Sequence, residues 1–178
     1  MYRGLIKLKH GGINIKSALL VINMTNRFFD VNGTKYLGEQ SRDVVNSILE
    51  KLTLARKAQR PVIFINDAYS EEPESKKERF NNSFIEELTP LEDEIIFYKN
   101  HPNSFNGTSL ENIINDLQIK ELVIAGVFTN SSIFFTAVEA RIRGFNVIIF
   151  EDCIIADDKI AHAVFLNEMK EKYYIEIF

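Results

Sequence analysis

Apolar positions along this chain follow two alternating rhythms. The first is a short run rich in branched residues, continuous in Ala18 to Ile22, Val62 to Ile65 and Leu122 to Ala125, and with one polar residue near its start in Glu94 to Tyr98 and Phe145 to Phe150. Runs of that length, bounded by polar or turn residues, are expected of strands buried on both faces of a parallel sheet. The second rhythm recurs every three or four residues, as in Val44, Val45, Ile48, Leu49 and Leu52, and marks amphipathic helices. Pro61 ends the helix that runs to Arg60. Thr108-Ser109-Leu110-Glu111 reads as a capping box that starts a helix through Leu117, with the Thr108 hydroxyl serving a first-turn N–H and Glu111 reaching back. A helix over Asn130 to Arg143 closes at Gly144, Asp157 or Asp158 caps another through Lys172, and Tyr173 to Phe178 forms a last strand.

Strands alternating with helices predict right-handed crossovers and a three-layer α/β fold, a six-stranded parallel sheet flanked by helices, Rossmann-like. With the expected order 3-2-1-4-5-6, the ligand crevice lies outside the carboxyl ends of the strands, between the first and the fourth. No internal repeat, low-complexity tract or linker interrupts residues 1–178, so a single domain is expected. Residues 1–16, with a Gly-Gly turn at Gly11 and Gly12, form an N-terminal extension, a small hairpin or arm without an assigned role. The charged stretch from Ser70 to Arg79 reads as a solvated loop or helix turn.

Composition narrows the function classes. An apolar fraction of 46% and a charged fraction of 26% are those of a soluble globular protein, and a net charge of −4 without a basic run speaks against nucleic acid. The apolar runs are too short to span a bilayer, and the N-terminus lacks the basic end and apolar block of a secretory signal, which together point to the cytoplasm. The single cysteine, Cys153, forms no intrachain disulfide, and three scattered histidines give no metal-ligand spacing, so neither metal nor cofactor is expected.

The candidate chemistry gathers on VIAGVFTNSSI, from Val123 to Ile133. A strand, a turn at Gly126 and a helix start place a pair of serines where backbone N–H groups point outward and the macrodipole favours negative charge. Asn23 ends the first strand and Lys99 the third, so both are expected to converge on Ser132 in the crevice.

With those positions in place, the stretches ALLVINMTNRFFD (Ala18 to Asp30), YKNHPNSFNGTSL (Tyr98 to Leu110), AGVFTNSSI (Ala125 to Ile133) and FEDCIIADDKIAH (Phe150 to His162) resemble the isochorismatase-like cysteine hydrolase family, in the same order and spacing. The resemblance extends from about Ser17 to the end of the chain. It implies a hydrolase of small-molecule amides, esters or related carbonyl compounds, and a homo-oligomer, dimer or tetramer. The family's triad of aspartate, lysine and cysteine falls on Asn23, Lys99 and Ser132, so two of the three differ. Serine is a weak nucleophile without a positioned base, and Asn23 cannot be that base. Nor can Asn23 act as the general acid of the isochorismatase branch. The nicotinamidase-like branch holds a metal after the second strand, where this chain reads Asp67-Ala68-Tyr69 without a histidine, so no metal is expected. The resemblance also implies a cis peptide between Val127 and Phe128, and an oxyanion hole from the N–H groups of Phe128 and Ser132.

Two readings stay open. In one, the missing aspartate leaves Lys99 neutral in a closed crevice, able to deprotonate Ser132. In the other, the chain keeps the fold and pocket for ligand binding or assembly without the reaction. Phe28, Phe29, Phe105, Val127 and Phe128 are candidate walls for a small, apolar or planar ligand. Phe134 and Phe135 are candidates for a subunit interface. His101 and Asn103 are candidate lining residues, while His162 and Cys153 read as structural.

Overall fold

The structure, a computed structural model, describes residues 16–68 and 75–178. The turn at Gly11 and Gly12, Tyr69, and the first half of the charged stretch, Ser70 to Glu74, lie outside the described residues. The elements are β1 (Ser17–Ile22), α1 (Asn26–Phe29), α2 (Ser41–Lys57), β2 (Val62–Asp67), α3 (Lys76–Asn82), β3 (Ile95–Lys99), α4 (Leu110–Asp116), β4 (Glu121–Val127), α5 (Phe134–Ile142), β5 (Asn146–Ile155), α6 (Lys159–Tyr173) and β6 (Glu176–Ile177). All strand pairs are parallel, and the sheet order is β3-β2-β1-β4-β5-β6. The chain therefore winds outward from β1 in both directions, and the reversal at β1 and β4 opens the crevice at their carboxyl ends.

Strand alternation divides the core into two layers. Leu20, Ile22, Ile63, Ile65, Leu122 and Ile124 face α4, α5 and α6 and pack on Leu110, Ile114, Ala137, Ala140 and Met169. Leu19, Val21, Val62 and Phe64 face the other way, onto Val45, Ile48 and Leu52 of α2 and onto Phe28 and Phe29. Because β1 is buried along its whole length, its sequence can be apolar without alternation. In α2, Asp43 in the first turn and Arg56 and Lys57 in the last complement the macrodipole. Asp158 caps α6 by accepting from the Ala161 N–H at 2.7 Å. Among the described residues no helix is long and apolar enough to cross a membrane.

Four elements depart from the expected pattern. The box at Thr108 does not form: Ser109 is the N-cap without a side-chain cap bond, and Glu111 is drawn across the surface to Arg143. Thr108 Oγ1 does accept from the Leu110 N–H at 3.2 Å, the half of the expectation that survives. A reciprocal box occurs instead at Ser75 and Glu78, starting α3. The helix expected from Asn130 begins as a π-helical turn, Thr129–Ile133, and becomes α-helical only at Phe134. Strand β5 continues to Ile155, while β6 shrinks to two residues because α6 runs to Tyr173 and Tyr174 takes a left-handed cap conformation.

Candidate active site

Each of the four polar residues at the crevice is placed by a strand end or by the turn after one. Asn23 follows β1 in a left-handed conformation (φ 57°), which asparagine tolerates better than most residues, and its N–H donates to Ile65 O at 2.8 Å. Asp67 and Lys99 end β2 and β3 and are register partners, so their side chains leave the sheet together. Ser132 sits in the π-helical turn beyond β4. Lys99, Asn23 and Ser132 are 1%, 3% and 4% exposed, whereas the Asp67 side chain remains 35% exposed.

These side chains form one connected network. Asn23 grips Asp67 at two points: Nδ2 donates to Asp67 Oδ2 at 3.0 Å, and Oδ1 accepts from the Asp67 N–H at 3.0 Å. Lys99 Nζ is ion-paired with Asp67 Oδ1 and donates to Ser132 Oγ at 3.1 Å. Asn23 Nδ2 reaches Ser132 Oγ at 3.5 Å, the outer limit of a hydrogen bond. The sequence thus brings Asn23, Lys99 and Ser132 together as expected, but with a fourth member that sequence reasoning left out. Asp67 was visible only as a metal-ligand position lacking its histidine.

Asp67 corrects the picture of a lysine without an anionic neighbour. The aspartate absent at Asn23 is replaced, from the adjacent strand, by a carboxylate on the same ammonium. A dyad resting on an unpaired, neutral Lys99 therefore does not describe this site. The Ser132 oxygen lies between an ammonium and an amide donor, an arrangement that stabilises negative charge developing on it. Both Asp67 oxygens are engaged by Lys99 and Asn23. Among the described residues no group of three or more His, Cys, Asp or Glu side chains is clustered closely enough to hold a metal ion.

The turn carrying Ser132 has its own supports. The Val127–Phe128 peptide is cis. Phe128 O accepts from the N–H groups of Ser131 (3.0 Å) and Ile133 (3.2 Å), closing the wide turn. Gly126 has φ +124°, and a Cβ there would stand 2.0 Å from Ile22 O, so no other residue fits. Phe28 meets Phe128 edge-on, ring centroids 5.0 Å apart, and Val127 is buried beside them. Phe29 is core.

Phe105 is not a crevice wall. It is buried in the layer under α4 and α5, stacked on Phe145 at 6.2 Å, with the Arg143 guanidinium over its ring. His101 is exposed, and Asn103 Oδ1 accepts from the Phe105 N–H, holding its own loop. Phe134 packs edge-on against Phe165 and Tyr173 while Phe135 stays half exposed. Cys153 is buried, and burial together with Asp152 pushes its thiol far above the ordinary range, as suits an inert core residue. His162 Nδ1 lies 2.8 Å from Oγ1 of the buried Thr129, the first residue of the π-helical turn, a link without a sequence signal.

A doubly wound sheet with a buried lysine, a carboxylate and a hydroxyl beyond its strand ends defines an α/β protein with a connected polar site at its switch point. Residues 17–177 match the Isochorismatase domain, and the chain belongs to the isochorismatase family. It is 28% identical to the uncharacterized isochorismatase family protein YaaI of Bacillus subtilis, over 90% of this chain and 92% of the relative. It is also 28% identical to nicotinamidase 3 of Arabidopsis thaliana, over 87% and 77% of the two chains. The fold superposes on the crystal structure of the nicotinamidase PncA from Bacillus subtilis with a TM-score of 0.81 at 23% identity, covering 92% of this chain and 99% of that one.

Proposed function

We propose that this chain hydrolyses a small-molecule amide or ester with Ser132 as the nucleophile and Asp67 as the final proton acceptor. The observation behind this reading is that Lys99 Nζ touches both Asp67 Oδ1 and Ser132 Oγ. As Ser132 Oγ attacks the substrate carbonyl carbon, Lys99 hands one proton to Asp67 and takes the serine's. The ammonium is thereby regenerated, and the carboxylate ends protonated. The proton then passes back to the leaving amine or alcohol when the carbon–leaving-group bond breaks. Water attacks the resulting acyl-serine along the same relay and restores the hydroxyl. A nicotinamidase among the relatives makes amides the first substrates to test.

A second reading has its own observation. The side-chain contacts of Ser132 Oγ are to two donors, Lys99 and Asn23, and no carboxylate accepts its proton directly. Under this reading the pocket binds a small carbonyl compound without turning it over.

A panel of primary amides, ureido compounds and short-chain esters, run with wild type, Ser132→Ala and Asp67→Asn, separates the two. Turnover by wild type that falls at least about a hundredfold in each variant supports the serine hydrolase. Binding without turnover in wild type supports the second reading. Turnover that survives in Ser132→Ala refutes the serine as nucleophile.

A further inference from the structure

We propose that a bulge in β5 builds a second binding cleft, separate from the Ser132 site, for a small organic cation bearing a flat apolar group. The bulge appears in the β4–β5 register. Ile124 pairs with Ile149 and Gly126 with Ile154, so the single residue between them on β4, Ala125, is matched on β5 by Phe150 to Cys153. The excursion returns Cys153 to the core and sends Glu151 and Asp152 to solvent. An excursion of this length re-aims the side chains it carries.

Strand β6 pairs only with Ile148 and Ile149, so it stops short of the excursion, and Phe178 is tied beside it by the Glu151 N–H donating to Phe178 O at 2.9 Å. The result is a cleft of about 570 Å³ lined by Phe150, Glu151, Asp152, His162 and Phe178. The cleft is shallow and open to solvent, so an occupant lies against its wall and is not enclosed.

The lining selects the ligand class. Two carboxylates and no lysine or arginine line the cleft, which favours positive charge. Burial holds the His162 imidazole below its usual range while Glu151 pulls it the other way, so at neutral pH the ring adds no competing cation. The Phe150 and Phe178 rings lie 5.9 Å apart at a 33° tilt, offering apolar faces beside the carboxylates. Phe150 already carries the Lys51 ammonium at 4.2 Å from its centroid, on the side of α2. Aromatic faces and carboxylates together recognise an alkylammonium better than a bare metal ion. His162 connects the cleft to the turn bearing Ser132 through Thr129 Oγ1, so an occupant touches a residue that holds that turn.

The test is a calorimetric titration of the full chain with benzyltrimethylammonium. Benzenesulfonate and benzyl alcohol serve as the anionic and neutral counterparts, and the His162 ring resonances are followed in parallel by NMR. We expect saturable binding of the cation with a shift of the His162 signals, no saturable binding of the sulfonate, and at least about tenfold weaker cation binding in the doubly substituted E151Q/D152N protein. Both substituted residues are exposed, so the variant keeps its fold, checked by an unchanged melting curve. Affinity equal for the three probes, an affinity untouched by the double substitution, or the absence of saturable cation binding overturns the proposal.

Discussion

The two-point grip of Asn23 on Asp67 makes Asn23→Asp an informative perturbation. Restoring an acid at position 23 puts a carboxylate oxygen where Nδ2 now donates, 3.0 Å from Asp67 Oδ2. Two unit charges at that separation repel by about 5–6 kcal/mol at an effective dielectric constant of about 20. The Asp67 side chain is 35% exposed, and the Lys99 ammonium lies against it, so screening leaves a net cost of roughly 2–3 kcal/mol. The pair relieves this by keeping one proton between its two oxygens. A carboxyl held protonated in the folded state contributes stability at low pH that is lost as the pH rises. The deficit of Asn23→Asp against wild type, measured by chemical denaturation, should therefore be small near pH 4, grow by about 2 kcal/mol and level off near pH 6. Adding Asp67→Asn removes the second charge and should erase most of that pH dependence. Under the hydrolase reading the double variant also retains turnover, because a carboxylate again stands next to Lys99 and Ser132. A deficit that is flat with pH, or one that the second substitution leaves in place, would refute the pairing of residues 23 and 67.

Other outcomes follow from the same contacts. The Glu94 side chain is 8% exposed and accepts from Arg56 Nε and Nη2 and from the Leu91 N–H at 2.7–2.8 Å. Burial raises its carboxyl, but Arg56 and the Leu91 N–H lower it further, so the net direction is downward. Glu94→Gln should cost about 2 kcal/mol at pH 7, and this difference should vanish as acidification carries the wild type through the depressed folded value; a constant difference down to pH 3 would count against the pair. Gly126→Ala drives a Cβ into Ile22 O and should lower stability by more than about 3 kcal/mol, read as loss of the folded fraction or of the melting transition. Cys153 should react with a thiol reagent orders of magnitude more slowly in the native protein than in denaturant, and equal rates would contradict its burial.

The strand order was legible because the central stretches of β1, β2 and β4, residues 18–22, 62–65 and 122–125, are continuously apolar, as strands covered on both faces can be, so periodicity and parallel pairing agree. Convergence of Asn23, Lys99 and Ser132 followed from that order alone. What escaped were side chains whose partners lie far along the chain. Asp67 meets Asn23 and Lys99 across 44 and 32 residues, and its meaning depends on the neutral residue at 23. Glu111 offered a local cap but is taken by Arg143, 32 residues on. Phe105 sits in a loop directly between the polar residues Ser104 and Asn106, and only the position of Phe145 reveals it as core. The bulge at Phe150 to Cys153 was missed because the consecutive polar pair Glu151-Asp152 breaks strand alternation and reads as the end of a strand at Phe150, whereas β5 resumes and runs to Ile155.

The π-helical turn at Thr129–Ile133 makes the site sensitive to chain length rather than to composition. A turn of this kind holds one residue more than an α-helical turn, and the bond from the Ile133 N–H to Phe128 O spans that extra residue. Removing one residue between Phe128 and Ile133 would let the turn close as α-helical, because the closure then spans four residues instead of five and α5 keeps its phase on the sheet. The change would fall on the turn itself, where the widened backbone now aims Ser132 at Lys99, while α5 stayed in place on the sheet. Substitutions can be absorbed here more readily than a deletion, and homologous chains that share this reaction geometry should align through the turn without gaps.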